Sequence, residues 1–586
     1  MRRLSLVRPL WDLLRPWKVR LVLVGLGIAA AAALDVIPPV IVGRLLDGLA
    51  AGRTADLPVA AGAYLAALAA AHALTATYGY LAATVAQRAL AGLRTSLFDH
   101  LLALPTEYHD HTPVGDAISR ATADIDAIDD LFSSSTVVLL GETLRLATVT
   151  AAMLLLSPPL TLAAGAVVPP VLLLTFYVRR RIRTAERATR TAVGSATTQL
   201  QETLAGVNVV RAFARQAEFT GRFHAALSGW LRASNTSTGY NSFYAPGLAM
   251  CAAIATAGLL WAGGAVHQAA VSIGTLTAFV LLFARFFTPL INLGDEWQRV
   301  QAALSGAERV FNVLALPRAS QSGGPPDDRA GPPVVLDRVD FGYRPGQAVL
   351  HGIDLTVRAG EQVAIVGRSG AGKSSILALL AGLYRPTSGS VRLAGRDPAP
   401  LADDERRAVV GVVPQTVHVF TGTVYDNVAL GDATITADHV VAASRITGAH
   451  TFVNALPDGY QSILAGSGRG EGITLSAGQR QLLALTRALV SRPTVLLLDE
   501  ATAVVDGASD AAFRTALRQH VQPDGTAILT VAHRLATARH ADRIVVVAAG
   551  RIIEEGSPAM LASTDSHFAS LLALEEIGWN WEELDL

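Results

Sequence analysis

The 586-residue sequence predicts two successive parts, an α-helical domain that crosses a membrane six times and then an α/β domain. Three observations support this fold class. Hydrophobic residues make up 51% of the chain and charged residues only 16%, whereas an ordinary soluble protein has about 25% charged residues. Long apolar stretches occur only in the first half of the chain. In the second half, short β-type runs alternate with helical patterns, which is typical of a largely parallel sheet.

Composition also excludes several classes of protein. The formal net charge is zero, so no general electrostatic attraction to nucleic acid is expected. The single cysteine, Cys251, rules out an intramolecular disulfide framework and a cysteine-rich zinc site.

Six stretches are apolar and long enough to cross the bilayer as helices, because about 20 residues span its roughly 30 Å of hydrocarbon. They lie near residues 21–46, 57–86, 136–156, 160–178, 246–266 and 271–291. The basic N-terminus runs into the first span with no cleavage pattern, so we interpret it as a cytoplasmic elbow. Basic residues before span one and after span four place both termini and both long polar segments in the cytoplasm.

The first long polar segment keeps a helical pattern. Leu97, Leu101 and Leu104 recur at helical spacing, and the pattern is interrupted near 105–115. We therefore expect helices that extend beyond the bilayer, with a turn between them.

Four ionisable residues lie within the predicted spans, where charge is costly and usually functional. Asp35 belongs to span one, Glu142 and Arg145 to span three, and Arg285 to span six. Glu142 and Arg145 are three residues apart on one helix face. Two interpretations stay open: the pair is mutually neutralising, or these residues line a transport cavity.

A linker separates the two parts. Residues 318–333 are rich in Gly, Pro and Asp, which predicts an irregular connection between a membrane domain at 1–317 and a second domain at 334–586.

The second domain contains a phosphate-binding loop. Residues 367–374 read GRSGAGKS, matching G-x-x-x-x-G-K-[ST], after an apolar strand and before a helical pattern. Lys373, one of only two lysines in the chain, is expected to reach the β- and γ-phosphates, and Ser374 to bind Mg²⁺. The residues assigned to the nucleotide here are Gly367, Arg368, Ser369, Gly370, Ala371, Gly372, Lys373, Ser374 and Ser375.

A second apolar run, VLLLDE at 495–500, ends in two carboxylates. Side chains at the carboxyl end of such a strand face the ligand crevice of an α/β sheet. Asp499 is expected to hold the Mg²⁺ shell, and Glu500 to act as general base on the attacking water.

These motifs resemble the ATP-binding cassette (ABC) family, and further segments extend the resemblance. LSAGQ at 475–479 is similar to the family's LSGGQ signature. The resemblance implies roles for Gln415 (Q-loop), His533 (switch), Asp506 (D-loop) and Tyr343 (adenine stacking). It also implies that two cassettes enclose ATP head to tail, so that Ser476, Gly478 and Gln479 of one contact the nucleotide held by the other. The implied catalytic residues are Glu500, His533, Gln415 and Lys373, and the implied metal ligands are Ser374, Gln415 and Asp499.

The membrane half resembles the multidrug, lipid and peptide exporter branch of that family, with the membrane domain first and the cassette second. The implied fold is a six-span transmembrane domain of the exporter type followed by an α/β P-loop ATPase cassette. Two departures occur. Ala477 replaces the first signature glycine, and the D-loop region reads ATAVVD where the family usually has ATSALD. Neither removes a catalytic group.

The predicted function is ATP-driven export of a hydrophobic or amphiphilic compound, such as a drug, a lipid or a natural product, by alternating access. The expected cofactors are ATP and Mg²⁺. The expected partners are a second half-transporter, membrane lipid and a small-molecule or lipid-like cargo, with no nucleic acid. The expected location is the inner (plasma) membrane of a bacterium, with the cassette in the cytoplasm. Three alternatives remain: an importer of the same fold, the catalytically intact half of a heterodimer rather than a homodimer, and a channel or regulatory subunit that only binds ATP.

Overall fold

The computed structural model describes residues 6–166, 168–266, 272–319, 331–466, 471–499, 515, 517–532 and 535–576. It divides into two compact units. The helical unit comprises Met1–Leu101 and Gly115–Ala315, and the cassette unit comprises Leu102–Val114 and Leu316–Leu586.

All the regular secondary structure described in the helical unit is helical. In chain order they are α1 Val7–Leu14, α2 Lys18–Leu34, α3 Ile37–Ala50, α4 Leu57–Leu102, α6 Val114–Ala121, α7 Ala123–Asp130, α8 Thr136–Leu156, α9 Pro158–Gly165, α10 Val168–Ala205, α11 Val207–Ala212, α12 Gln216–Val266 and α13 Ile273–Leu314; α5, Thr106–His111, lies in the cassette unit.

Several of these helices have the length and composition of membrane spans. Five described stretches qualify outright, namely Arg8–Ala50, Leu57–Leu102, Val114–Leu156, Pro158–Ala205 and Gln216–Trp261. A shorter apolar helical stretch, Ile273–Pro289, coincides with the sixth predicted span. The prediction of a helical transmembrane domain is therefore confirmed. The first polar segment is also helical, because α4 continues past its predicted span and α5, α6 and α7 follow it.

The first predicted span is two helices rather than one. α2 ends at Leu34, and α3 begins at Ile37 with Pro38 and Pro39 in its first turn. Proline is tolerated in the first turn of a helix but has no N–H to donate, so the helix cannot run through this point unbroken. The carbonyl of Asp35 would ordinarily accept from the N–H four residues later, which is the position of Pro39.

Small residues bring α3 and α13 into close contact. A Cβ atom on Gly43 would lie 2.5 Å from the Gly274 carbonyl oxygen, so only glycine fits at that crossing. Asp47 of α3 accepts hydrogen bonds from the Gly274 backbone N–H at 2.8 Å and from the Ser272 hydroxyl at 2.7 Å. Ser272 is in turn the N-cap of α13, so α3 fixes the start of that helix.

The cassette unit contains two principal sheets. Its strands are β1 Val334–Phe341, β2 Leu350–Val357, β3 Gln362–Val366, β4 Ser388–Leu393, β5 Val410–Val413, β6 Gly422–Thr423, β7 Ile463–Leu464, β8 Val495–Asp499, β9 Ala527–Val531, β10 Arg543–Ala548 and β11 Arg551–Gly556. The order β11-β10-β3-β9-β8-β5 forms a six-stranded sheet, parallel except for the edge strand β11, and β2-β1-β4 forms an antiparallel sheet. This mixed sheet confirms the predicted α/β class.

Helices complete the cassette unit and cover the large sheet. Besides α5 they are α14 Lys373–Leu380, α15 Asp403–Val409, α16 Val424–Ala429, α17 Ala437–Thr447, α18 Ala449–Asn454, α19 Ala477–Leu489, α20 Leu535–Ala538, α21 Pro558–Ser563 and α22 His567–Glu576.

The sheet is buried on both faces, which explains why its strands are continuous apolar runs. Leu497 of β8 belongs to one hydrophobic cluster with Ile376 and Leu380 of α14. Its neighbour Leu498 points to the opposite face and belongs to a cluster with Leu485 of α19. The strand period of two thus places α14 and α19 on opposite faces of the same sheet.

Candidate functional site

The predicted phosphate loop connects β3 to α14. Gly370 and Gly372 have φ angles of +79° and +101°, a backbone region that favours glycine. A Cβ atom on Gly372 would lie 2.5 Å from Cδ2 of Leu350. The loop therefore needs glycine for both its curvature and its packing, and its path ends at the N-terminus of α14, where backbone N–H groups favour an anion.

Lys373 is the first residue of α14 and is only 5% exposed. Its Nζ donates hydrogen bonds to the backbone carbonyls of Gly367 and Arg368, the latter at 3.0 Å. The loop is thus folded around this ammonium group. A planar guanidinium has a different shape and donor geometry, which fits the presence of lysine in a chain whose other basic residues are almost all arginine.

The two serines that follow differ in their surroundings. Ser374 is exposed, so its hydroxyl is accessible at the first turn of α14. Ser375 is buried, and its Oγ lies 3.0 Å from the hydroxyl oxygen of Tyr343.

Tyr343 therefore contacts the phosphate-loop helix directly. Its ring packs edge-to-face against Phe341 and Tyr384, with centroid distances of 4.9 and 5.2 Å. Tyr343 is 42% exposed, which is compatible with the adenine stacking that the resemblance implies.

Asp499 lies at the same sheet edge as the phosphate loop. It is the last residue of β8, and it pairs with Val531 of β9, which pairs in turn with Ile365 of β3. Asp499 and Ile365 are thus two strand spacings apart, or roughly 10 Å. Gln415 follows β5, the strand on the other side of β8, and is exposed at this edge.

The oxygen groups at this edge suit a hard divalent cation. They are the Ser374 hydroxyl, the Asp499 carboxylate and the Gln415 side-chain amide. Among the described residues no group of three His, Cys, Asp or Glu is placed to hold a metal. Magnesium that accompanies a nucleotide needs no such group, because phosphates and water supply most of its ligands. Glu500, Asp506 and His533 lie outside the described residues.

The signature residues belong to another element, the N-terminus of α19. The Oγ of Ser476 accepts from the Gln479 N–H at 3.2 Å, and Oε1 of Gln479 accepts from the Ser476 N–H at 2.9 Å. This reciprocal pair is a capping box. A Cβ atom added to Gly478 would meet no other atom within 4 Å, so its surface is open.

Sequence reasoning missed one contact of the phosphate-loop region. The hydroxyl of Tyr384, which packs against Tyr343, donates a hydrogen bond to Oδ2 of Asp110 in α5. Burial, together with this hydrogen bond, raises the pKa of Tyr384 well above its usual range, so the phenol remains a donor. No spacing in the sequence links two residues that lie 274 positions apart.

The ionisable residues of the spans form a separate cluster in the helical unit. Arg145 lies 2.6 Å from Asp35 and 3.8 Å from Glu142, measured between nitrogen and carboxylate oxygen. Its principal partner is therefore Asp35, at the break between α2 and α3, and the pairing with Glu142 is the weaker of the two. Arg285 contacts the second oxygen of Asp35 at 2.9 Å.

Comparison with known proteins matches two family profiles to successive parts of the chain. The profile of the ABC transporter transmembrane region matches residues 21–290, and the ABC transporter profile, which describes the ATP-binding part, matches residues 350–503. The fatty acid ABC transporter ATP-binding/permease protein of Mycobacterium bovis is 34% identical over 523 residues, which cover 89% of this chain and 81% of that protein.

Two further relatives extend over nearly the whole chain. The ATP-dependent lipid A-core flippase of Chromohalobacter salexigens is 32% identical over 579 residues, covering 97% of this chain and 98% of that protein. Among solved structures, a bacterial Atm1-family ABC exporter with ATP bound superimposes with a TM-score of 0.78 at 25% identity, covering 96% of this chain and 98% of that one.

Proposed function

Since this chain belongs to the ABC exporter family and is an ATPase coupled to transport, we propose that it moves a hydrophobic or amphiphilic compound out of the cytoplasm across a bacterial inner membrane. The observation that carries the proposal is the sheet edge of the cassette unit. There a glycine loop folded around Lys373 lies two strands from Asp499, in a chain with several apolar membrane helices. This combination couples nucleotide chemistry to a membrane domain within one chain.

We assign roles at that edge from the chemistry of each group. Backbone N–H groups of residues 367–374 and the ammonium group of Lys373 bind the phosphates, and Tyr343 stacks on the base. Ser374, Asp499 and Gln415 hold Mg²⁺, which, when bound, neutralises charge on the phosphates. Glu500 orients and deprotonates the attacking water, His533 contacts the terminal phosphate, and Asp506 supports the cassette interface.

A complete site is proposed to need two chains. One chain supplies the phosphate loop, and its partner supplies Ser476, Gly478 and Gln479 at the start of α19. These residues lie on an exposed or half-exposed helix end, as an interface requires. A homodimer is the default assembly; pairing with a different half-transporter, which the intact motifs fit equally well, is the alternative.

The cargo proposal rests on the membrane helices and on the relatives. One relative is named for a fatty acid and another for the core of lipid A. The spans of this chain are rich in alanine and leucine and contain few charges. An amphiphile that partitions into the bilayer fits such a surface better than a small, strongly polar solute.

The first test measures the mass and the Mg-ATPase rate of the purified chain in lipid nanodiscs. A dimer that hydrolyses ATP, with a loss of at least about 100-fold in Glu500→Gln, supports the proposal, because removing a general base usually costs 10²- to 10⁴-fold. A monomer that binds ATP without hydrolysing it would instead favour an obligate heterodimer.

The second test addresses direction. In inside-out vesicles the cassettes face the added ATP, so an exporter accumulates a fluorescent amphiphile inside the vesicle lumen. The Glu500→Gln chain is the control for passive partitioning. ATP-dependent loss of the probe from preloaded vesicles would contradict export.

A further inference from the structure

The cluster around Asp35 originates in the break between α2 and α3. Because Pro39 has no N–H, the carbonyl oxygen of Asp35 has no partner within the helix. The guanidinium of Arg285 donates to that carbonyl and also to Oδ1 of the Asp35 carboxylate at 2.9 Å. Oδ2 of the same carboxylate contacts Nε of Arg145 at 2.6 Å. One aspartate thus holds two arginines from two other helices.

Glu142 completes the cluster one helical turn from Arg145. It is 9% exposed, and its Oε1 accepts a hydrogen bond from Nδ2 of Asn292 at 2.7 Å. Its Oε2 is buried and accepts no hydrogen bond from the described residues, and the nearest cation, Nη1 of Arg145, is 3.8 Å away. Two arginines and two carboxylates leave the cluster with no net charge and one unfilled acceptor.

A cavity of about 230 Å³ opens beside this cluster, between α2, α4 and α8. Asp35, Glu142 and Arg145 form its charged side. Its other walls combine apolar residues, Ile28 and Leu68 among them, with three polar side chains of α4, namely His72, Thr75 and Tyr78. Sites for whole drug-sized ligands usually measure about 300–1,000 Å³, so this cavity is large enough for a head group but not for an entire amphiphile.

The charge balance determines which head group fits. A net-charged head would enter a site whose two carboxylates and two guanidinium groups already balance one another, and its own charge would find no counter-charge among them. An uncharged head that carries a hydroxyl or amide can donate to Glu142 and accept from Arg145 without disturbing that balance.

We propose that the cavity between α2, α4 and α8 binds the uncharged, hydrogen-bond-donating head of an amphiphilic cargo, with Glu142 as the principal acceptor and the aliphatic tail outside the cavity. This inference rests on the proposed function, because it names the cargo class of the same transporter. It separates this chain from a carrier of acidic lipids, whose heads would require an uncompensated cation.

The test compares three probes that share a twelve-carbon chain: 1-monolauroylglycerol, dodecanoate and dodecylammonium. Equilibrium binding of each radiolabelled probe is measured on the full chain in nanodiscs, and binding to empty nanodiscs is subtracted. We expect monolauroylglycerol to bind at least about tenfold more tightly than either ion, the effect of one hydrogen bond to a charged group.

Glu142→Gln keeps the shape of the side chain but gives the cluster a net positive charge. We expect this variant to prefer dodecanoate to monolauroylglycerol, reversing the wild-type order. Asn292→Ala removes the donor that positions Glu142 without changing the charge, so it should weaken binding of monolauroylglycerol and keep the order. Glu186→Gln makes the same substitution in a half-exposed ion pair of α10, where Arg190 is 4.0 Å away, and should bind like the wild type.

Equal or tighter binding of either ion by the wild-type chain, an unchanged order in Glu142→Gln, or no binding of any probe would overturn the inference. Basal Mg-ATPase activity, measured on the same samples, distinguishes a failure of this inference from a failure of the proposed function. A chain that hydrolyses ATP but fails the probe test retains the proposed function, whereas a dimer that binds the probes in the expected order but does not hydrolyse ATP retains the head-group site and contradicts the proposed function. Thermal midpoints of the variants show whether each one is folded.

Discussion

At the scale of single residues, the cassette depends on side chains that each meet two requirements. Lys373 fits a buried position inside a tight loop and, in its proposed role, must also present an ammonium group to phosphate. Tyr343 must pack against two aromatic rings and also keep part of its surface open. Conservative substitutions at such positions can therefore separate one requirement from the other.

Lys373→Arg should lower the ATPase rate by at least about 100-fold, although the positive charge is retained. The larger guanidinium cannot occupy the same space between the Gly367 and Arg368 carbonyls, so the phosphate loop must shift. The chain offers a matched control in Lys18, its other lysine, which is exposed. Lys18→Arg should hydrolyse ATP at the wild-type rate; equal activity of the two variants would contradict this role for Lys373.

Tyr384→Phe should destabilise the cassette unit by about 1 kcal/mol, because it removes the hydrogen bond to Asp110 but keeps the aromatic packing. The raised pKa of Tyr384 gives this difference a pH dependence. The folded state retains the phenolic proton more strongly than the unfolded state, so the stabilisation is complete below the unfolded pKa of 10.0 and is lost as pH rises beyond it.

Differential scanning fluorimetry of the wild type and Tyr384→Phe between pH 6 and 11 measures this effect. The difference in melting temperature should stay constant to about pH 9 and shrink above pH 10. A difference that falls between pH 6 and 8 would show that another group controls the contact.

At the scale of elements, the start of α19 combines a structural and a functional requirement. Ser476 caps the helix through its hydroxyl, and the same residue is proposed to contact nucleotide held by a partner chain. An acidic N-cap stabilises a helix as well as serine does, but it would place a negative charge beside the phosphates.

Ser476→Ala should therefore lose about 1 kcal/mol of stability together with ATPase activity, whereas Ser476→Asp should keep the stability and still lose the activity. Thr423→Ala is the matched control, because Thr423 and Asp426 form an equivalent capping box on α16. It should lose stability alone. ATPase activity in Ser476→Asp close to that of the wild type would argue against the nucleotide contact.

Local elements could be predicted from the sequence, whereas contacts between distant elements could not. The β3–loop–α14 unit is encoded within 19 residues, 362–380, and the apolar spans are visible from composition alone. The break at Asp35 was not predicted, because the apolar residues on both sides of it match the pattern of one continuous span. The two prolines that follow it lie in the first turn of a second helix. Asp35 and Arg285, which form an ion pair, lie 250 positions apart in the sequence, and hydropathy does not predict such a pairing.

At the scale of the whole molecule, a single chain carries one phosphate loop and one signature helix, α19. In the proposed assembly, the phosphate loop of each chain faces the signature helix of the other chain. This arrangement predicts complementation between two inactive variants. Mixing Lys373→Met chains with Ser476→Asp chains before reconstitution should restore activity, because one of the two sites in each mixed dimer combines two intact halves.

Random pairing makes half of the dimers mixed, so about a quarter of the wild-type rate is expected if the two sites act independently. Each variant reconstituted alone gives the baseline. Mixed particles that have the mass of a dimer but remain at that baseline would contradict a site shared between chains.

The two prolines of α3 affect how this sequence can evolve as well as how it folds. Arg285 donates to a backbone carbonyl that lacks its usual partner because position 39 is proline. Replacing Pro39 with alanine would return an N–H to that carbonyl and release one donor of the guanidinium. The substitutions that positions 39 and 285 tolerate are therefore coupled. A substitution that is harmful at one of these positions should be partly rescued by a substitution at the other. The two positions should therefore change together in descendants of this sequence.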